Sequence, residues 1–289
     1  MQIKQILSAR NPAISFEVFP PRRDAPAAPV TEAVERLCRV RPAFMSVTYG
    51  AAGMANTNTL AIARYVQQCG VSALAHLTCI GSSRDAVRGY LGELRSAGVE
   101  NVLALRGDRP ADAPVDAPAG DFVHAADLVC DIKAFGGFCI GAACYPECQP
   151  ECAHIEDDVA RLRAKVDAGV DFLTTQMFFD NNVYFRYLSR LRQAGITVPV
   201  VAGVMPVTNG RQIERICRLS GTNLPPRFRS IVDRYGDNPE SMLDAGIAYA
   251  TEQIVDLFAN GAQAVHIYTM NKCVIGERIL ANLGSIVNP

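Results

Sequence analysis

Several short apolar runs in this sequence end abruptly in polar residues that could carry chemistry. The clearest run, residues 102–105, leads directly into Arg106, Gly107 and Asp108 and is closed by Pro110. A run too short for a free-standing helix is typical of a strand buried on both faces, and parallel α/β folds keep their active sites at the carboxyl ends of such strands. The candidate site residues are therefore the polar residues at the ends of these runs, namely Glu17, Thr48, His76, Thr78, Arg106, Asp108, Tyr145, Glu147, Gln176, Tyr268 and Asn271.

Glu17 is the candidate with the most direct chemical implication. Its carboxyl group lies between Phe16 and Val18, where burial disfavours the charged form and stabilises the proton-donating acid. A general acid at neutral pH requires that property, although a core carboxylate paired with an arginine would show the same pattern. Asp108 is either a second functional carboxylate or a helix cap, and the neighbouring Gly107, which permits close backbone approach, favours a ligand.

Metal binding is disfavoured by the spacing of the possible ligands. His76 and His266 each stand alone, with no second histidine two or four residues away. Cys144, Cys148 and Cys152 are regularly spaced, but intervening prolines prevent a single helical stripe and no fourth ligand is near. We therefore expect no metal ion, and we interpret the ten cysteines as reduced thiols that pack as small core residues.

The elements that position these residues follow a repeated order. A helix ends at a glycine, an apolar strand follows, and polar residues stand at the carboxyl end of that strand. Strands are predicted at 14–19, 44–48, 73–78, from residue 102, and at 138–143, 172–176, 198–204 and 264–269. Helices are predicted at 31–40, 59–68, 84–97, 122–135, 155–168, 181–194, within an insertion at 209–260, and from residue 272. This order predicts an α/β fold, a single (β/α)8 TIM barrel with extra helices between strands 7 and 8. An open doubly wound sheet is the alternative, but no G-x-G-x-x-G motif follows any predicted strand.

The connections between these elements carry fewer functional signals. The segments 22–29 and 109–120 are rich in proline and alanine, and we expect both to be loops. The turn at 207–210 could cradle a phosphate group, as barrels often do after strand seven, or it could simply cap the next helix.

Composition limits the class of protein. The 289 residues are 49% hydrophobic and 20% charged, with a net charge of −1. This balance is ordinary for a globular protein with a large core and gives no basic field for nucleic acid or an anionic membrane. The length would allow two small domains, but it also suits one α/β barrel, and we expect a single domain over residues 1–289. The first residues lack the apolar core of a signal peptide, and no apolar run is long enough to span a membrane. We therefore expect a cytoplasmic protein.

Motifs along most of the chain resemble those of the methylenetetrahydrofolate reductases. They occur in the order of that family, between residues 14 and 272, and each is weak alone but specific in combination. The matching segments are Phe16-Glu17-Val18-Phe19-Pro20-Pro21-Arg22, Ser46-Val47-Thr48-Tyr49-Gly50-Ala51, His76-Leu77-Thr78-Cys79, Leu105-Arg106-Gly107-Asp108, Tyr145-Pro146-Glu147, Thr175-Gln176 and His266-Ile267-Tyr268-Thr269-Met270-Asn271. The length resembles that of the short bacterial form of the family.

The resemblance implies an enzyme that reduces 5,10-methylenetetrahydrofolate to 5-methyltetrahydrofolate with FAD and NADH, the two substrates using one flavin face in a ping-pong reaction. By this resemblance Glu17 is the general acid at N10, and Asp108 tunes flavin and pterin electrostatically. Gln176, Gln212 and Lys272 match folate-contact positions. The positions implied for FAD are Thr48, Tyr49, Ala51, His76, Arg106, Gly107, Asp108, Ala125, Tyr145, Gln149, Asp158, Arg161 and Lys165. We also expect the protein to form a homo-oligomer.

Some residues depart from the family pattern. Gln149 replaces a histidine, Arg161 and Ala164 replace an asparagine and an arginine, Ile216 replaces an aromatic residue, and Lys272 replaces an arginine. Arg161 or Arg163 could restore positive charge near the cofactor phosphates. Two other interpretations stay open: a homologue that has lost flavin or takes electrons from a protein partner, and a non-catalytic folate-binding barrel.

Overall fold

Eight parallel strands close into a barrel in chain order. The computed structural model describes residues 1–9, 12–21, 25–49, 56–107 and 120–287. The strands are β1 (Ala13–Val18), β2 (Met45–Val47), β3 (Ala73–Thr78), β4 (Asn101–Leu105), β5 (Cys139–Cys144), β6 (Phe172–Thr175), β7 (Val200–Val204) and β8 (Ala264–Tyr268). All eight predicted strands are present, so the barrel prediction is confirmed and the open sheet is wrong.

Helices separate the strands along the chain. They are α1 (Ile3–Leu7), α2 (Ala28–Arg39), α3 (Asn56–Gln68), α4 (Arg84–Ser96), α5 (Ala125–Phe135), α6 (Ile155–Asp167), α7 (Asn181–Gln193), α8 (Gly210–Ser220), α9 (Pro226–Tyr235), α10 (Pro239–Ala259) and α11 (Cys273–Leu283), followed by a short 3-10 helix at Gly284–Ile286. The insertion between β7 and β8 is confirmed as α8, α9 and α10. Asn238 begins α10 by accepting hydrogen bonds from the backbone N–H groups of Glu240 and Ser241.

The predicted helix boundaries need two corrections. The segment 22–29 was expected to be entirely loop, but α2 already begins at Ala28 because Pro29 is tolerated in the first turn of a helix. The helix expected from residue 122 begins instead at Ala125. Most of the loop expected at 109–120 lies outside the described residues.

Successive side chains of each strand point alternately outward, into the core between strands and helices, and inward, into the barrel interior. In β1, Ile14, Phe16 and Val18 pack in the large cluster that includes the apolar faces of the surrounding helices. Ser15 and Glu17 consequently face the barrel interior, where they are also buried. The same alternation places polar side chains of β2, β3 and β8 in the interior, and these build the candidate site.

Helix α1, which the sequence analysis did not predict, covers one end of the barrel. Ile3 and Leu7 pack with interior residues such as Phe44 and Phe172. Asn101 at the start of β4 accepts a 2.8 Å hydrogen bond from the Ile3 backbone and donates to the Met1 and Ala73 carbonyls. Because a five-residue helix is not stable alone, its position depends on these contacts.

We expect Asn101→Ala to lower the free energy of unfolding by about 1–3 kcal/mol, because the buried Ile3 N–H would lose its acceptor. Urea denaturation of the purified protein would measure this loss. Ser8→Ala is the matched control, since it removes an exposed hydrogen bond to Gln5 in the same helix and should change stability by less than about 0.5 kcal/mol. Equal stability of the two variants would contradict the role assigned to Asn101.

Candidate active site

Glu17 lies at the carboxyl end of β1 inside the barrel mouth. The strand register places it beside Ser46 of β2 and Tyr268 of β8. Its backbone carbonyl accepts a 2.8 Å hydrogen bond from the Thr269 hydroxyl. The residue is only 7% exposed, so its carboxyl group is held against other interior groups and not in bulk solvent.

A chain of buried polar groups leads to the Glu17 carboxyl. Ser46 Oγ is 3.3 Å from Glu17 Oε2 and 3.0 Å from His266 Nε2, and His266 Nδ1 is 2.7 Å from Ser15 Oγ. His76 Nε2 lies 3.5 Å from Glu17 Oε2 on the other side. The interior therefore surrounds one carboxyl group with a serine and two histidines.

The single proton of a serine hydroxyl gives this chain a direction. When the Ser46 hydroxyl donates to Glu17, His266 Nε2 is the donor in its second contact. The Ser15 hydroxyl lies within hydrogen-bond distance of both His266 Nδ1 and the Val265 carbonyl, the latter at 3.2 Å. Phe44 stacks on the His266 ring at a centroid distance of 5.7 Å and restricts its orientation. The arrangement holds the Glu17 carboxyl in one place.

His76 does not supply a permanent positive charge to Glu17. Burial lowers the pKa of His76 to about 4, although the nearby Glu17 carboxyl opposes the shift. The imidazole is therefore neutral at neutral pH. Among the described residues no arginine pairs with Glu17, whose two ion-pair partners there are His76 and His266.

A cavity of about 270 Å³ opens between the β4–α5 and β5–α6 units of the barrel. Seven residues from the implied FAD set line it together, namely Arg106, Ala125, Tyr145, Gln149, Asp158, Arg161 and Lys165. The first turn of α5 also lines the cavity, and a helix N-terminus favours anionic groups. The structure thus brings together residues from four separate segments of the chain.

Two cations on α6 face this cavity. Arg161 is exposed at its edge, whereas the Lys165 ammonium donates a 2.7 Å hydrogen bond to the Ala143 carbonyl. Burial lowers the pKa of Lys165 and raises that of the neighbouring Asp158, which accepts from the Gln149 backbone. Ala164 lies between the two cations on the same wall and leaves that part of the cavity open.

Arg163 does not take part in the cavity. Its guanidinium pairs with Asp167 at 2.8 Å and donates to the Ala194 carbonyl at 2.8 Å. Of the two arginines proposed to restore charge near the phosphates, only Arg161 lines the cavity.

Arg106 and Gly107 shape another wall. Arg106 makes two 2.6 Å hydrogen bonds with Glu151 of the β5–α6 loop. Gly107 has a φ of +84°, and a Cβ atom there would lie 2.9 Å from the Thr78 Cβ, so only glycine fits. Glu151 was not recognised in the sequence, since its pairing depends on a loop 45 residues away.

Comparison with known proteins identifies the family. A sequence model of methylenetetrahydrofolate reductase matches residues 2–284. The chain belongs to the methylenetetrahydrofolate reductase family. It is 33% identical over 272 residues to 5,10-methylenetetrahydrofolate reductase of Pectobacterium carotovorum subsp. carotovorum, an alignment that covers 94% of this chain and 90% of the relative. The corresponding values for the Escherichia coli (strain K12) protein of the same name are 32%, 94% and 90%.

Plant members of the methylenetetrahydrofolate reductase family are longer. Methylenetetrahydrofolate reductase (NADH) 1 of Arabidopsis thaliana is 36% identical in an alignment 302 residues long that covers 99% of this chain and 50% of the relative. The chain therefore spans about half the length of the curated plant relatives it matches. Its barrel resembles that of an uncharacterized Clostridium thermocellum protein that binds two copies of 5-methyl-5,6,7,8-tetrahydrofolic acid, with a TM-score of 0.68, 13% identity and coverage of 100% and 99% of the two chains.

Three further described positions implied by the methylenetetrahydrofolate reductase resemblance follow the carboxyl ends of strands: Thr48, Tyr49 and Gln176. Thr48 and Tyr49 follow β2; the Thr48 carbonyl accepts from Thr59, and the Tyr49 ring meets Tyr90 edge-on. Gln176 follows β6, where its Oε1 accepts a 3.0 Å hydrogen bond from the Met177 backbone. Ala51 and Asp108 lie outside the described residues.

The two predicted folate-contact residues after β7 and β8 do not line the cavity. Lys272 donates a 2.7 Å hydrogen bond to the Thr208 hydroxyl, which joins the two loops. Gln212 is exposed in the first turn of α8. Asn209 caps α8 by accepting from the Arg211 backbone at 3.1 Å, so the turn at 207–210 acts as a helix cap in this structure.

Ser15, Ser46 and Thr175 are buried at the site, although no role is predicted for them from the sequence. A signal for Ser15 and Ser46 was present, because polar residues alternate with apolar ones in β1 and β2. Such period-two alternation inside a short strand marks an interior polar stripe.

The cysteines do not form a ligand cluster. All ten are described and free of disulfides, and Cys144 is buried while Cys148 and Cys152 are half-buried. Within the described ranges no group of three or more His, Cys, Asp or Glu side chains is arranged to hold a metal ion. In the same part of the chain, no helix is both long and apolar enough to cross a membrane.

Proposed function

We propose that this protein reduces 5,10-methylenetetrahydrofolate to 5-methyltetrahydrofolate, using FAD as cofactor and NADH as electron donor. The observation that carries the proposal is the buried Glu17 carboxyl, which its serine and histidine neighbours hold at the barrel mouth. The family match and the reductase names of the relatives support the same reaction. We further propose that residues 1–289 act as one catalytic domain.

The cavity beside β4 and β5 has the chemistry expected of an FAD site. Arg161, Lys165 and the start of α5 present positive charge for two phosphates, and Gly107 leaves room for close backbone approach. Thr48, Tyr49 and His76 lie towards the barrel mouth, on the side proposed for the flavin ring. When bound there, FAD would supply hydride transfer between NADH and the folate.

The chain's own contribution is binding and proton transfer. Glu17 would protonate N10 of the folate and open its five-membered ring, and the Ser46–His266–Ser15 chain would hold the carboxyl in position for this step. Gln176, Gln212 and Lys272 would bind the folate. Asp108, which follows Gly107 outside the described residues, is proposed to act electrostatically on flavin and pterin.

NADH and folate are proposed to use one flavin face in turn, which is a ping-pong reaction. The Arabidopsis relative carries NADH in its name. Ile216 is half-buried on α8 within the insertion, and we assign it to the nicotinamide side of the mouth. A cytoplasmic homo-oligomer remains part of the proposal.

The visible absorption spectrum of the purified protein, followed by an anaerobic assay with NADH, tests this function. We expect a flavin band that NADH bleaches and that 5,10-methylenetetrahydrofolate restores, with formation of 5-methyltetrahydrofolate. Folate-dependent NADH oxidation without a flavin band would favour a flavin-free homologue. Reduction by a protein donor but not by NADH would favour a partner-dependent homologue, and folate binding without turnover would favour a non-catalytic barrel.

A further inference from the structure

Tyr268 links the two sides of the barrel mouth that carry Glu17 and Gln176. It is the last residue of β8, in register with Glu17 of β1, and its ring meets His266 edge-on at 5.4 Å. Its hydroxyl donates a 2.6 Å hydrogen bond to the backbone carbonyl of Thr175 at the end of β6. The side chain therefore spans the interior past the intervening strand β7.

Gly203 of β7 makes this crossing possible. A Cβ atom at Gly203 would lie 2.7 Å from the Tyr268 hydroxyl and 2.3 Å from the Thr175 carbonyl oxygen. The Gly203 backbone N–H instead donates a 2.8 Å hydrogen bond to Thr175 Oγ1. Thr175 at the end of β6 is thus hydrogen-bonded to both β7, through Gly203, and β8, through Tyr268.

Thr175 directly precedes Gln176. The hydrogen bonds that hold Thr175 therefore also fix the position of the Gln176 backbone, from which the glutamine side chain extends. The Gln176 backbone N–H donates to the Cys144 carbonyl at 2.7 Å, and its side-chain Oε1 is occupied by the Met177 N–H. In the described part of the chain, Gln176 Nε2 has no protein acceptor. The amide N–H groups are consequently the part of Gln176 left to meet a ligand.

The Tyr268 hydroxyl is suited to donating this hydrogen bond to the Thr175 carbonyl. Burial raises its pKa well above the usual value, with a further contribution from the Glu17 carboxylate. The hydroxyl therefore stays protonated and remains a hydrogen-bond donor across the working pH range.

We propose that Tyr268 is a positioning residue for folate: its hydroxyl fixes the Thr175 peptide and so aims Gln176 at the ligand. This inference rests on the proposed function, because it takes Gln176 as a folate contact. Tyr268 acts through Thr175 and Gln176, and Gly203 is the residue that leaves room for it.

Tyr268→Phe tests the proposal, because it keeps the ring and removes only the hydroxyl. We expect the dissociation constant for 5-methyltetrahydrofolate, measured by isothermal titration calorimetry, to rise about three- to tenfold, the range expected for one lost hydrogen bond. The KM for folate should rise by a similar factor, whereas the KM for NADH should stay unchanged. Tyr184→Phe is the matched control, since its hydroxyl also donates to a strand carbonyl, that of Val200 at 3.3 Å.

Gln176→Ala separates failure of this inference from failure of the proposed function. If Gln176→Ala weakens folate binding and Tyr268→Phe does not, the proposal that Tyr268 positions Gln176 is wrong. If Tyr184→Phe weakens binding as much as Tyr268→Phe, the effect is general destabilisation and the inference is also wrong. If the unchanged protein does not bind the folate, or if Gln176→Ala binds it equally well, the folate site itself has been misassigned.

Discussion

Glu17→Gln is expected to lower the rate of folate reduction by about a hundredfold or more, the usual effect of losing a general acid, while NADH still reduces the bound flavin. Glutamine has nearly the same shape and can accept the hydrogen bond from Ser46, but it cannot donate a proton to N10. Anaerobic stopped-flow spectroscopy would follow the two half-reactions separately.

Glu147→Gln is the matched control for this experiment. Glu147 is a half-buried carboxylate in the β5–α6 loop, and burial raises its pKa, but its side chain accepts a 3.0 Å hydrogen bond from the Asn223 backbone. Its replacement should change neither half-reaction by more than about twofold. Folate reduction at a near wild-type rate in Glu17→Gln would mean that another group donates the proton.

The double variant Arg161→Ala/Lys165→Ala is expected to weaken FAD binding by at least about tenfold. Each charge-assisted hydrogen bond to a phosphate contributes about 1.5–3 kcal/mol, and about 1.4 kcal/mol corresponds to a factor of ten. FAD binding should also depend more steeply on salt in the unchanged protein than in the variant. Equilibrium dialysis at several salt concentrations would measure both effects.

Two further variants control for stability and for general charge. Lys165→Met keeps an apolar chain where the buried lysine packs, so it should lose FAD affinity with a smaller loss of stability than alanine. Arg163→Ala removes a cation of the same helix that points to Asp167 and Ala194, and it should retain FAD. Stoichiometric FAD in the double variant after extensive dialysis would place the phosphates elsewhere, with the turn at 207–210 the next candidate.

Much of the fold follows from local sequence patterns. Short apolar runs between glycine-terminated helices specify a parallel barrel, because side-chain periodicity and turn residues act within a few positions of each other. The same local pattern placed Glu17 and Gln176 at strand ends. Helix α1 was missed because five residues carry too little helical signal, and its stability comes from packing on distant residues such as Phe44 and Asn101.

The family motifs extended the prediction from the strand ends to a candidate cofactor site. Seven of the implied FAD positions do line one cavity, although nothing in their spacing alone would place residues from β4 and α6 together. The sequence could not choose between Arg161 and Arg163, because both lie on α6 and the direction of each depends on what surrounds the helix.

Tertiary structure alone decided how the groups at the barrel mouth interact. Ser15 and His266 are 251 positions apart, yet their side chains are 2.7 Å apart because closure of the barrel brings β8 against β1. The Tyr268–Thr175 contact likewise requires a glycine on the intervening strand. Residue types and strand ends are local properties that a sequence displays directly. Hydrogen-bond partners depend on strand register and barrel closure, which are settled only when the whole chain has packed.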